Sequence, residues 1–404
     1  MDRDFGQSVQ RKAGELQQAG KDANQSAKIL FDQDPQGYNY GIGIILDGKG
    51  TPAESSATLA RYLKVELETC SSGSYMNSAK LMGDLKQAVL RWQRIPEEYW
   101  DFFSLALPSD AGTGAVKSAV ELQLMLNPHL RTLGIESLGW PAYKAIAKVA
   151  RVAIKEFPQD GVAEGEGILP LYQSGPMNTT GMVRNVAVNH ARAEKAAADG
   201  VPVVLDRAYS GFEFTRLRAN ESCDQIMRQS FQLQLLPFLE AGVPMSIAIS
   251  PTKAFITFAY RPCGLLLVYS PQGSPNVVTA LNTTIRARGS SFEHPVTRAF
   301  AKAMVNDVQQ LEQEHARAMK RLYDAESLWA SLVAGTAMES LFSDQYAGLF
   351  RNPRAKENAP VHIYGSHLYP VFSQGRCRLN VTGLPLDAEL AKRHVAVFSE
   401  FCYE

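Results

Sequence analysis

Net charge is the first thing this 404-residue chain lacks, because 41 lysines and arginines are balanced by 41 aspartates and glutamates. A neutral chain offers no bulk electrostatic footprint to nucleic acid or an anionic membrane, so any anion site has to be local. Paired cysteines are missing as well. Cys70, Cys223, Cys263, Cys377 and Cys402 stand far apart and none belongs to a CxxC pair. That spacing argues against a disulfide framework and against a zinc site, and it suits a reducing compartment. The polar start MDRDFGQSVQRKAGEL has no apolar core of signal-peptide length, and no long uncharged apolar run follows it. A cytoplasmic protein with no membrane span and no metal is the expectation. No internal repeat or low-complexity segment is visible.

What the chain does have is 45% hydrophobic residues, enough to fill a substantial core. Apolar runs alternate with helical patterns from FFSLALPS, through TLGIESLGW, ILPLYQSG and VPVVLD, to PMSIAIS and GLLLVYS, with AYKAIAKVARVAI read as one of the intervening helices. Strands apolar on both faces, alternating with helices, indicate an α/β fold whose mostly parallel sheet is covered by helices on both faces. DVQQLEQEHARAMKRLYDAESLWASLV has no glycine or proline and reads as one long amphipathic helix leading to an α+β C-terminal segment. The GIGII run reads as a strand joining that segment, which makes a small α+β domain built from both chain ends. The expected division is 1–52 for an N-terminal arm and part of the small domain, 53–315 for the large domain, and 316–404 for the rest of the small one.

In open α/β sheets ligands gather at the carboxyl ends of the strands. After FFSLALPS, the DAGTG turn with Gly112 and Thr113 opens a helix whose free amides suit a phosphate, although a glycine-rich turn is more often only a turn. Asp206 ends VPVVLD with Tyr209 three residues on, in a position that also suits a helix cap. Asn178 follows ILPLYQSGPM, where a turn role is ordinary, and Trp140 ends a third strand as a candidate core residue. Lys253 stands in ISPTKAFITFAYRPCG, with Ile247, Ile249, Phe255 and Phe258 around it, Ser250 three residues before and Arg261 eight after. A lysine in apolar surroundings loses solvation of its charged form and becomes a usable nucleophile or base. Snorkelling is its other reading.

Taken in order, Gly112–Thr113, Trp140, Asn178, Asp206, Tyr209, Ser250, Lys253 and Arg261, with the spacings DxxY and SxxKxxxxxxxR, resemble the aspartate aminotransferase-like family of pyridoxal phosphate enzymes, fold type I. The GIG at Gly41–Gly43 and the RLNVTG at Arg378–Gly383 are similar to further motifs of that family. The resemblance implies the cofactor pyridoxal 5'-phosphate, held covalently by Lys253, which would also move the substrate proton. It implies that Asp206 pairs with the pyridine nitrogen, that Tyr209 and Asn178 bond the ring's phenolic oxygen, and that Trp140 stacks on the ring. The phosphate would take the Gly112 and Thr113 amides, the Thr113 and Ser250 hydroxyls, Arg261, and Tyr75 from the neighbouring subunit of a homodimer.

Arg378 would clamp the α-carboxylate, with the backbone at Gly43 closing over it. Arg286, beside Ser290, would reach across the dimer to a distal carboxylate; a surface arginine is its alternative reading, and Arg288 stands nearby. The chain departs from the pattern at Tyr143 and Gln173, which stand where the family keeps histidines near the cofactor-bound aspartate, and in RGSSFEHP and MNTTG. The implied activity is an aminotransferase moving an amino group between aspartate or an aromatic amino acid and a 2-oxo acid, with 2-oxoglutarate and glutamate as the common pair. A lyase or decarboxylase on the same scaffold is the alternative enzyme, and a cofactor-binding regulator the non-enzymatic one.

Overall fold

The computed structural model describes residues 2–69, 81–107, 111–213, 220–257, 260–261, 264–273, 275–289 and 294–404. Helices α1 (Arg3–Gln18) and α2 (Ala23–Asp32) are capped by the carboxylates of Asp2 and Asp22, the latter in a capping box with Gln25, which satisfies amides that have no partner within the helix. A two-residue strand β1 (Tyr38–Asn39) follows. The GIGII run is therefore not a strand. Its polar backbone is held by side chains instead: Asn39 Oδ1 accepts from the amides of Gly41 and Ile42, Asn380 Nδ2 donates to the carbonyls of Ile42 and Ile44, and Thr382 Oγ1 accepts from Leu46. With these groups satisfied, no ladder partner is needed.

The large domain begins with α3 (Ala57–Thr69) and α4 (Met82–Trp92). It continues as β2 (Phe103–Ala106), α5 (Ala111–Leu126), β3 (Thr132–Glu136), α6 (Ala142–Ala150), β4 (Ala153–Phe157) and β5 (Ile168–Gln173). After these come α7 (Val186–Asp199), β6 (Val203–Arg207), α8 (Cys223–Gln234), α9 (Leu236–Glu240), β7 (Met245–Ile249), α10 (Pro251–Ala254), β8 (Leu265–Tyr269) and α11 (Pro275–Gly289). The seven strands β2 to β8 lie in the order β2-β8-β7-β6-β5-β3-β4, parallel except that β8 runs against both its neighbours.

Along β6, β7 and β8 alternate residues enter two different cores: Leu205, Ile247 and Leu267 pack on one face, Val204, Ala248 and Leu266 on the other. The period of two in the pleat is thus what lets one sheet carry helices on both sides. The run AYKAIAKVARVAI is split in the structure, because Arg151 takes a left-handed conformation (φ 57°) that ends α6 and the chain enters the edge strand β4. Position-wise, its β-branched Val152 and Ile154 favour that outcome.

The long helix α12 (Pro295–Val333) starts earlier than its uninterrupted pattern suggests and is broken at Asp307 (φ −137°). There the carboxylate turns to accept from Arg61 Nη2 and Tyr62 OH of α3. The C-terminal part adds β9 (Phe350–Arg351), β10 (Arg354–Ala355), α13 (Ala359–Tyr364), β11 (Leu368–Tyr369), β12 (Val371–Ser373), β13 (Arg376–Asn380), α14 (Ala388–Phe401) and β14 (Cys402–Tyr403). Strand β1 pairs in parallel with β11, so the small domain does draw on both chain ends. Its core runs through Tyr40, Trp329, Phe398 and Leu379 and meets the large domain at Tyr209 and Phe350.

Beside that junction Arg351 is wholly buried. Its Nη2 bonds Glu326 of α12, while Nε and Nη1 donate to the carbonyls of Leu341 and Phe350. Removing one partner of a buried pair leaves the other charge without compensation, so Glu326→Ala should lower unfolding free energy by about 3 kcal/mol or more in urea titrations. The double change Glu326→Leu with Arg351→Met should recover most of it; no recovery would mean that the carbonyl bonds, not the ion pair, hold this corner.

Candidate active site

Four of the strands, β3, β5, β6 and β7, deliver polar groups to the same edge of the sheet: Glu136, Gln173, Asp206 and the Ser250–Lys253 turn. A cavity of about 280 Å³ opens there, lined among others by Gly112, Thr113, Trp140, Asn178, Asp206 and Tyr209, and by Ser250, Thr252, Lys253 and Arg261. All the candidate residues of the central motifs thus reach one space.

Asp206 is buried. Its Oδ1 accepts from the Ala208 amide at 3.0 Å and its Oδ2 from the Tyr143 hydroxyl at 2.6 Å. Burial pushes its carboxyl up to about 6, against the lowering pull of those two donors. Lys253 responds in the opposite sense: burial first, then Arg378 and Arg261, bring its amine down to about 8. Its Nζ donates to the Gly43 carbonyl at 2.6 Å and lies 5.8 Å from the centre of the Tyr209 ring. Burial likewise drives the Tyr209 hydroxyl upward, so it stays protonated.

At the other end of the cavity the first turn of α5 meets Ser250. A Cβ on Gly112 would lie 2.6 Å from the Ser250 Cβ, so glycine is what allows the helix start to come this close. The amides of that first turn, which have no acceptor within the helix, form with the exposed Thr113 and Arg261 a corner suited to a phosphate. Two buried oxygens of cavity-lining residues, Asn178 Oδ1 and Thr252 Oγ1, have no hydrogen-bond partner among the described residues. Buried polar atoms are rarely left so. They point to a polar ligand.

Arg378 lies in an adjoining cavity that shares Trp140 with the first. Its Nη2 donates to the Gly41 carbonyl and to Asn24 Oδ1, both at 2.5 Å, its guanidinium sits 4.7 Å over the Phe350 ring, and its buried Nε has no partner among the described residues. Burial brings its pKa down to about 10. A carboxylate would complete its donors. Arg286, in contrast, is exposed on α11 and lines neither cavity of its own chain, while the half-buried Arg288 bonds Ser118 and pairs with Glu121. Tyr75 and Ser290 lie outside the described residues.

The model of the family described as aminotransferase class I and II matches residues 84–334, more than half of the chain. The chain belongs to that family. No curated protein sequence matches it. Among solved structures it is similar to an aromatic-amino-acid aminotransferase of Burkholderia pseudomallei covalently bound to pyridoxal phosphate, at 18% identity and a TM-score of 0.77, covering 94% of this chain and 97% of that one. It is also similar to the cytoplasmic aspartate aminotransferase of Giardia lamblia, at 16% identity and a TM-score of 0.74 over 94% and 96% of the two chains. A third similar structure, the broad specificity aminotransferase of Leishmania mexicana, has 17% identity and a TM-score of 0.73 over 93% of each. These likenesses establish the fold.

Within this aminotransferase the two positions that depart from the family's histidines play different parts. Gln173 does not support Asp206; its amide grips the backbone of Asn178, donating to the carbonyl at 2.9 Å and accepting from the amide at 3.0 Å. Tyr143 is the residue that touches Asp206. Thr252, Ser174 and Asn24 escaped the motif reading: Thr252 could have been suspected from its place beside Lys253, whereas Asn24 reaches Arg378 only through the packing of α2 near β12 and has no signal in the sequence.

The lowered lysine has a direct consequence. Its folded pKa lies below the ordinary 10.5, so the unfolded chain binds the proton more tightly, and this group withdraws stability as pH falls from about 10.5 to 8 and adds no further change below. Acylation of cofactor-free protein, followed by peptide mapping, should modify Lys253 with a midpoint near pH 8, well below the other lysines. A midpoint matching theirs would show that its surroundings do not desolvate it.

Proposed function

We propose that this aminotransferase binds pyridoxal 5'-phosphate in the cavity at the ends of β6 and β7 and transfers an amino group between aspartate or an aromatic amino acid and a 2-oxo acid, with 2-oxoglutarate and glutamate as the common pair. The observation that carries this is the convergence of Lys253, Asp206 and the unpartnered Asn178 and Thr252 oxygens on one cavity. When bound, the cofactor supplies an electron sink for the charge that develops when a substrate Cα proton leaves. Lys253 would hold it through Nζ. Asp206 would keep a proton on the ring nitrogen, Asn178 and Tyr209 would bond the ring oxygen, and Trp140 would cover one face.

The phosphate would rest on the α5 amides at Gly112 and Thr113, on Ser250, and on Arg261, with Tyr75 of a second copy completing it in a homodimer. For the chemistry itself, an amine with a pKa of about 8 has a useful fraction of free base near neutrality, which a solvated lysine lacks. Lys253 Nζ can therefore take and return a proton. Arg378 would fix the α-carboxylate, and Gly43 would lie over it. Family membership supports transamination over elimination or decarboxylation on the same scaffold. Among the described residues no helix is long and apolar enough to cross a membrane, which is compatible with a cytoplasmic site of action.

Borohydride reduction of the protein with its cofactor should place the label on Lys253, and Lys253→Ala should abolish transamination of every donor. Label on another lysine would sink the assignment.

The two arginines divide the substrate. Arg378 meets a carboxylate that every amino acid carries, so Arg378→Ala should depress kcat/KM for glutamate, aspartate and phenylalanine alike. Should Arg286 of a partner subunit read a distal carboxylate, Arg286→Ala would cost about 2–5 kcal/mol in transition-state binding for glutamate and aspartate and far less for phenylalanine. Equal losses for all three would make Arg286 structural.

A further inference from the structure

Among the described residues Asp206 is the one acidic side chain lining the main cavity, and none of them bonds a cationic group to it. Its ladder neighbours, Gln173 on β5 and Ala248 on β7, are uncharged. The charged group acting on it from β3 is Glu136, whose carboxylate is itself taken by Arg192 at 2.9 Å and the Gln173 amide at 2.8 Å, so it opposes a charge on Asp206 rather than supporting one. Tyr209, from the loop after β6, adds repulsion only if ionised, and burial keeps it neutral. Lys253 lines the same cavity but donates to Gly43. Among the described residues, the side-chain hydrogen-bond support for the aspartate therefore comes from α6 alone.

That support is Tyr143. It stands in the first turn of α6, is 1% exposed, and is wedged edge-on against Trp140 with ring centres 5.4 Å apart at 87°. The wedge fixes the direction of its hydroxyl, which reaches Asp206 Oδ2 at 2.6 Å. Burial and the nearby Asp206 and Glu136 carboxylates hold the phenol well above its ordinary range. It can only donate.

We propose that Tyr143 is a positioning residue whose hydroxyl stabilises the charge of Asp206 and aims that carboxylate into the cavity. This rests on the pyridoxal phosphate reading for its catalytic meaning, because an ionised Asp206 is what would hold a proton on the ring nitrogen. The same ring that orients Trp140 orients the aspartate, so the face and the nitrogen end of the cofactor site are set by one side chain. A core aromatic with no such role would tolerate loss of its hydroxyl.

The test uses the full-length protein without cofactor, following the Asp206 carboxyl carbon by NMR against pH, with Asp206→Asn to assign the signal. Wild type should titrate near 6. In Tyr143→Phe the midpoint should rise by about one pH unit or more, since a hydrogen bond to the charged form has been removed. Tyr143→His, which restores a donor, should bring it back to the wild-type value or below. Affinity for pyridoxal phosphate should fall about fivefold or more in Tyr143→Phe at pH 6 and much less at pH 8.5, where the carboxyl is ionised with or without the phenol. An unchanged midpoint in Tyr143→Phe overturns the proposal. Should that variant not fold, a raised midpoint in Tyr143→His overturns it. Wild-type protein that binds no pyridoxal phosphate refutes the cofactor reading alone, and the carboxyl midpoints still decide the role of Tyr143.

Discussion

The parallel pairing of β5, β6 and β7 is the constraint from which the site follows. Gln173 is opposite Asp206, and Asp206 opposite Ala248, so three strands end at one level of the sheet. Every residue of β5, β6 and β7 is buried, and a buried strand interior has no place for an uncompensated charge. Polar chemistry can therefore collect only where the strands stop, at the edge to which α5 and α6 also bring their N-terminal turns. A one-residue slip of β6 would move Asp206 to the opposite face of the sheet and replace it with Leu205 or Arg207. Arg207, the residue that such a slip would expose, is instead wholly buried and bonded to Gln93, Ser174 and Ser230. That network pins the register from the other face.

A chain with no net charge holds a cavity whose charges are individually strained. Burial lowers the pKa of Lys253 and Arg378 and raises that of Asp206, so in each the charged form is less favourable than it is in water. Lys253 and Arg378 donate to the carbonyls of Gly43 and Gly41, and Asp206 accepts from a phenol and an amide. Carbonyl and hydroxyl partners offset desolvation only in part. A ligand that brings a phosphate and a carboxylate to the cationic side and a protonated nitrogen to Asp206 relieves all of these penalties together. The unfavourable desolvation is stored in the folded protein before binding.

How much of this could be read from the sequence depended on whether a feature was local. Strand ends were legible, because apolar runs followed by Asp206, Ser250 or Trp140 are properties of short segments. The Gly112 position was also legible as a turn, although its need for glycine came from the approach of Ser250, a residue far along the chain. The GIGII run misled for a related reason: alternation of small and β-branched residues suggests a strand, but Asn380 and Thr382 had already provided for its backbone from the other chain end. The end of α6 at Arg151 turned on a single left-handed residue that is not glycine, which leaves no compositional mark. Tyr143 and Gln173 were noticed as departures, yet which of them met Asp206 depended on side-chain direction. Gln173 stands beside Asp206 in the ladder and still points its amide at Asn178.

The segment from Gly41 to Gly43 links these observations. Its carbonyls accept from Arg378 of the small domain and from Lys253 of the large one, and a Cβ on Gly43 would lie 2.8 Å from the Phe350 ring beneath Arg378. Any carboxylate that takes the Arg378 Nη2 donor competes with the Gly41 carbonyl and Asn24, and any bond formed at Lys253 Nζ removes the donor from Gly43. A ligand that takes both Arg378 Nη2 and Lys253 Nζ therefore costs this segment two hydrogen bonds, which must be replaced by the ligand, by water or by a shift of the segment. Because Asn380 holds the same segment at Ile42 and Ile44, a shift would carry β13 with it, and Arg378 lies on β13. The position of the arginine and the state of the lysine are in this way linked through three residues of main chain, although the two side chains share no hydrogen bond.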